Sequence, residues 1–247
     1  MDNKELITCL FDSIPEYSRQ KYIAFLKCDS QKNDILSQNP HMLMIMWLMS
    51  QQIKAEKASL IPFYIEERLG SCNMKFLASL DVSQIQHAMT FPTKLHRFGK
   101  MAIWLHEMAK LITEKYAGEP ANIWKNASSG EISGRCREIK GFGRKLSAMV
   151  PINLIRNFNL PLTDKEEMNI ALDTHVRCVL KRTGLSRFEA TDDEMLSDVR
   201  SAAKSRGRCA MELDLPLWAT GNFYCRKESR NCRQCPLSNP CPKLPFH

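Results

Sequence analysis

EISGRCREIKGFGRKLSAMVPINLIR, residues 131–156, holds two short helical patterns parted by Gly141-Phe142-Gly143. The first pattern stops at the glycines and the second opens at about Arg144. Two glycines one residue apart allow a tight reversal with positive φ and let backbone N–H groups approach an anion closely. The second helix directs its N-terminal end, the positive end of its dipole, at the same place. Arg144 and Lys145 add formal charge there. A nucleic-acid phosphate suits such a site, and contacts of that kind anchor a backbone without reading base sequence. A plain helix–helix turn with its basic residues in water would show the same residues, so this stretch alone leaves both readings open.

Downstream, Leu172-Asp173-Thr174-His175-Val176 opens an amphipathic stretch, VRCVLKRTGL, that closes at Gly184. An Asp directly before a helix is a favoured N-cap. A cap is also rigid, so the same carboxylate can be fixed beside a reacting group. Near the end, CRKESRNCRQCPLSNPC spans 225–241 with the spacing Cys225-x6-Cys232-x2-Cys235-x5-Cys241. Four sulfurs so close in sequence can converge on one centre. A disulfide knot and a structural zinc are both open readings, although zinc usually takes two short Cys pairs and only one is short here. Wider arms suit a [4Fe–4S] cluster, whose usual holders are four Cys thiolates. The other six cysteines, Cys9, Cys28, Cys72, Cys136, Cys178 and Cys209, are scattered and read as ordinary buried thiols of a reducing compartment.

The rest of the chain reads as helix. Candidate helices are 3–12, 17–28, 41–57, 63–70, 78–89 and 100–118, with a Thr191-x-x-Glu194 capping box opening another. The run 41–57 starts apolar and turns polar, like a buried helix that surfaces. Trp47 and Trp104 sit in apolar stretches and read as core. His175 and Cys178 share a helix face and read as packing, and His41, His87, His96 and His106 have no metal-ligand spacing. The most loop-like stretch is 156–171. Asn-Gly, Asp-Gly and Gly-Gly pairs are absent, which disfavours a sheet of tight hairpins. The longest apolar run, Met42 to Met49, is far below the roughly 20 residues of a membrane span. The opening residues do not read as a secretion signal. The 247 residues carry 35 Lys and Arg against 27 Asp and Glu, a formal +8. From Arg200 on there are nine basic and three acidic residues, so +6 lies in the last fifth. A localised basic region is the electrostatic footprint of a polyanion partner.

GFGRK, LDTHV and the C-x6-C-x2-C-x5-C run, in that order, resemble the endonuclease III-like branch of the helix–hairpin–helix (HhH-GPD) DNA glycosylases. The match covers about half the chain and thins toward the N-terminus, where LMSQQIKAEKA at 48–58 resembles the family's Leu-Ser-x-Gln helix. The resemblance implies an all-α fold of two helical lobes, with a helix–hairpin–helix at about 131–156 and a C-terminal [4Fe–4S] cluster loop. It places a helical barrel domain at 28–157 and a second helical domain at 1–27 plus 158–247, with the cluster at 225–241. Lys145 falls where bifunctional members keep a nucleophilic lysine, and Asp173 where the family keeps its catalytic aspartate. Cys225, Cys232, Cys235 and Cys241 match the cluster ligands. Gly141 and Gly143 match the hairpin glycines, with Arg144 beside them on the DNA. Gln52 falls where relatives insert a side chain into the gap left by a flipped base.

The implied activity is base-excision repair by a bifunctional glycosylase and abasic-site lyase acting on double-stranded DNA as a monomer. In a prokaryote it would be cytoplasmic and nucleoid-associated. The base is extruded into a pocket, because C1′ is hidden in the duplex. Breaking the glycosidic bond builds oxocarbenium character that a fixed carboxylate, Asp173, stabilises. An amine attacks only when neutral, and free lysine titrates near 10.4. The expectation is therefore burial and cationic neighbours, Arg144 and Lys140, around Lys145. The alternatives are a monofunctional glycosylase, with water attacking and Lys145 on phosphate, and a non-catalytic binding module. The chain also departs from its relatives. The insertion at 156–171 lengthens the Lys145–Asp173 spacing, and KLHRFGKMA lacks the Tyr-Asn segment of the endonuclease III group. The preference for oxidised pyrimidines therefore does not carry over with the resemblance.

Overall fold

The computed structural model describes residues 3–13 and 30–245. The candidate helix 17–28 and Cys28 lie outside those residues. The described residues form α-helices joined by loops and short 3-10 turns, with no strand among them. Two compact units divide the chain: Tyr22–Leu162, and Met1–Lys21 together with Thr163–His247.

Helix α1 (Asn3–Asp12) belongs to the second unit; the described helices of the first are α2 (Ser30–Gln38), α3 (Pro40–Met49), α4 (Ala55–Leu69), α5 (Met74–Ser79), α6 (Val82–Thr90), α7 (Lys100–Lys115), α8 (Ser129–Arg137) and α9 (Arg144–Phe158). Helix α3 starts because Asn39 Oδ1 accepts from His41 N and Met42 N at 3.0 and 3.1 Å, with Pro40 as first residue. Met42 to Met49 are all buried, so α3 is the core of this unit. The candidate helix 41–57 is in fact broken. Helix α3 ends at Met49, Gln52 turns left-handed at φ 54, and α4 begins at Ala55. The candidate 78–89 also splits, because Leu80 is extended and Asp81 starts α6 with a capping box to Gln84. Both breaks are made by single polar or extended residues that leave the apolar spacing intact. Helix α4 ends where expected, at Gly70 in the left-handed region. Ser128 and Glu131 cap α8 reciprocally, and α8 packs on α9 across the hairpin.

The second unit is built from α1 (Asn3–Asp12), α10 (Thr174–Thr183), α11 (Asp192–Lys204) and α12 (Asp214–Phe223). Its core joins Leu6, Ile7 and Leu10 to Val176, Val179, Leu180, Met195, Val199, Leu213 and Leu217. Thr191 and Glu194 form the expected capping box of α11. Arg177 grips Asp192 with two bonds, at 3.0 and 2.6 Å, and so fixes α10 to the start of α11.

Candidate DNA-repair site

At the hairpin, α8 stops at Arg137 and α9 starts at Arg144 with Gly143 as N-cap and no side-chain cap. Gly141 has φ 95, and a Cβ there would lie 2.6 Å from the Trp104 ring and 3.0 Å from Leu48. Only glycine fits that conformation and that gap. Gly143 differs from the expectation: it is extended, at φ −72 and ψ −178, so the reversal uses one positive φ and not two. A Cβ at Gly143 would meet nothing within 4 Å, so the approach to the helix start is open. Phe142 is buried and packs inward. Trp104, read as core, is half-buried and forms the floor under Gly141.

Arg144 and Lys145 are exposed on the first turn of α9. This corrects the expectation that Lys145 is buried. Lys140, expected as a cationic neighbour, donates to Glu107 Oε1 at 3.1 Å. Gln52 is exposed in the loop after α3, and its side-chain carbonyl accepts from Arg97 Nη2.

Asp173 is the N-cap of α10, as expected. It is 8% exposed, and its Oδ1 accepts from His175 N at 2.8 Å and Val176 N at 2.9 Å. The segment before it is held by a residue the sequence reading missed. Asp214, itself buried, accepts from Ala171 N at 2.7 Å. Helix α12 crosses the start of α10 at Gly221, where a Cβ would lie 2.7 Å from the carbonyl oxygen of His175. The carboxylate of Asp173 thus sits on a helix end clamped from two sides.

The other end of α10 carries the cysteine loop. Cys225, Cys232, Cys235 and Cys241 line one cavity with Arg182, Thr220, Tyr224 and Leu237. Arg182, only 4% exposed, donates to Arg226 O at 2.6 Å, Lys227 O at 2.9 Å and Cys225 Sγ at 3.6 Å. Cys178 lies against Cys225, and its thiol together with the Arg182 guanidinium holds the Cys225 thiol below its ordinary value. Burial pushes Cys235 up to about 11 and also raises Cys241. Cys178 is therefore a partner of the loop and not only packing. Cys72 and Cys136 are buried as expected, whereas Cys9 and Cys209 are partly exposed. Among the described residues, no three His, Cys, Asp or Glu side chains gather closely enough for a single metal ion. The donor set is four sulfurs around a cavity, one of them drawn toward the thiolate form that binds iron. It fits a cluster held by four cysteines. Arg226, Lys227, Arg230 and Arg233 of the same loop are all exposed.

Helical fold, hairpin and capped aspartate together define a class. The model of the family described as HhH-GPD superfamily base excision DNA repair protein matches residues 45–204, well over half the chain. The chain belongs to that superfamily. Among solved structures, endonuclease III in a non-covalent complex with DNA is similar, with a TM-score of 0.68 and 18% identity over 98% of this chain and 97% of that one. A trapped endonuclease III–DNA covalent intermediate, the estranged-adenine complex, matches equally, at 0.68, 18%, 98% and 97%. A thermostable thymine-DNA glycosylase matches with a TM-score of 0.66 and 12% identity, over 98% and 95% of the two chains. At these identities the likeness is one of fold. No curated protein matches the chain in sequence. No helix among the described residues is long and apolar enough to cross a membrane.

Proposed function

We propose that this protein is a bifunctional DNA glycosylase and abasic-site lyase that acts on a damaged or modified base in duplex DNA. One observation carries the reading. In a chain of the base-excision superfamily, a lysine, Lys145, occupies the open first turn of the hairpin's second helix. An aspartate, Asp173, is meanwhile fixed as a buried cap. In this reading the hairpin belongs to the helical barrel domain, put at 28–157, and the aspartate and the cysteine loop to the second domain, put at 1–27 with 158–247; the compact units divide a few residues away, at Tyr22–Leu162 and at Met1–Lys21 with Thr163–His247.

The roles follow from the chemistry of these groups. Gly141, Gly143 and Arg144 bind a phosphate at the start of α9. Gln52 fills the space left by the extruded nucleotide. The Asp173 carboxylate stabilises positive charge on the sugar as the bond to the base breaks, the bonding pair leaving with the base. The neutral amine of Lys145 adds at C1′, and the sugar ring opens to give an imine between Nζ and C1′. Loss of a C2′ proton then expels the 3′ phosphate by β-elimination. Lys145 is exposed at this turn and so open to an approaching duplex. Cys225, Cys232, Cys235 and Cys241 would hold a [4Fe–4S] cluster. Held there it would cross-link the basic loop, and base excision would need no redox chemistry from it. The protein works as a monomer in this reading.

Borohydride trapping on a duplex with one abasic site tests it, because any lysine lyase accepts that sugar. Wild type should form a covalent adduct. Lys145→Ala should form none, while its DNA affinity stays within about threefold, the loss of a single phosphate-range contact. No adduct from wild type that binds DNA tightly would make the protein a monofunctional glycosylase with water as the attacking group.

A further inference from the structure

Residues 91–104, FPTKLHRFGKMAIW, carry Lys94, Arg97 and Lys100 and no carboxylate. No helix covers Phe91 to Gly99, yet the loop is pinned. Arg68 donates to Ala88 O at 2.6 Å and to Thr93 O at 3.0 Å. The buried His96 ring links Gln51 O, at 3.1 Å from Nε2, to Phe98 N, at 3.2 Å from Nδ1. Because Nδ1 accepts from the Phe98 N–H, Nε2 is the protonated nitrogen and donates to Gln51. Burial holds His96 below its ordinary value and so favours this neutral form. The pin ties the 91–99 loop to the loop carrying Gln52.

Beside the pin, exposed Arg97 donates to the Gln52 side-chain carbonyl and lies over the Phe98 ring at 4.7 Å. Lys100 lies 5.5 Å from the Phe98 ring centroid and 4.3 Å from that of Trp104. Trp104 is the floor of hairpin Gly141. The contacts thus run unbroken from Gln52 through Arg97, Phe98, Lys100 and Trp104 to the hairpin. Gln52 itself is held at φ 54, where residues other than glycine stay only when their surroundings fix them. Among the described residues no carboxylate pairs with Arg97.

We propose that Arg97 is a positioning residue: it holds the Gln52 side chain ready to fill the gap left by an extruded nucleotide, and so sets the preference for damaged over intact duplex. This rests on the reading that the protein extrudes a nucleotide from duplex DNA.

The test is fluorescence anisotropy at fixed salt with two duplexes, one carrying a tetrahydrofuran abasic analogue and one intact. Wild type binds the abasic duplex more tightly. Arg97→Ala and Gln52→Ala each lose about tenfold of that preference, and the double variant loses no more than the worse single one, because both break one device. Arg97→Lys keeps the charge without the planar fork, so it binds intact duplex as wild type does and still loses preference. If the two single effects multiply, or if Arg97→Lys restores the preference, Arg97 is a simple phosphate contact and the proposal fails while the repair reading stands. A wild type that binds both duplexes equally overturns the extrusion reading and this proposal with it.

Discussion

At Asp173 one carboxylate caps a helix and, in the proposed reaction, also supplies the negative charge that stabilises the sugar. The two jobs separate by substitution. Asn caps a helix as well as Asp does, so Asp173→Asn should change unfolding free energy by less than about 0.5 kcal/mol. Base release in single turnover, on whichever base wild type removes, should fall by about a hundredfold or more. Asp173→Ala loses the bonds to His175 N and Val176 N as well, and should cost about 1 kcal/mol in chemical denaturation. An Asn variant that is destabilised but still releases base would reduce Asp173 to a cap. Asp214 belongs to the same account, because its bond to Ala171 N holds the chain two residues before the cap.

Among the elements, α10 does most of the positioning. Asp173 lies at its first end, Cys178 and Arg182 face the cysteine loop, and Gly221 of α12 presses on its opening turn. Gly221→Ala must push a methyl group against the His175 backbone. The expected cost is about 1–3 kcal/mol in urea unfolding, as for other overpacked contacts. Base release should fall with it, because the cap moves with the turn. Caps and turn glycines are local chemistry and were largely legible: GFGRK, LDTHV and Thr191-x-x-Glu194 do mark helix ends, although Gly143 is extended where a positive φ was allowed. Arg182, Asp214 and Gly221 were not read. Their partners lie about 45 residues away in sequence, and only packing brings them together. Arg182 did leave a trace, a charged residue four places after Cys178 and so on the same helix face. The break at 50–54 left none, because Gln52 in a left-handed turn looks like any polar residue on a surfacing helix.

For the molecule as a whole, charge is the broadest signal. Arg226, Lys227, Arg230 and Arg233 stand exposed on the loop whose backbone Arg182 grips. Binding to any duplex should therefore weaken steeply with salt. The Arg230→Ala, Arg233→Ala double variant should flatten the slope of log affinity against log salt by roughly one unit per arginine, equally for intact and damaged DNA. An unchanged slope would place that loop off the DNA.

One feature of the second unit reaches back to the making of the chain. Helix α1 buries Leu6, Ile7 and Leu10 against α11 and α12, and Arg206 bonds to Lys4 O across 202 positions of sequence. Helix α1 thus leaves the ribosome well before the helices it packs on, and finds its place only after them. Until α11 and α12 have been synthesised, its apolar face has no partner, while the segment 22–162 is already complete and can fold first. Nascent α1 therefore keeps its apolar face open to a chaperone for longer than the described helices of 30–158 do.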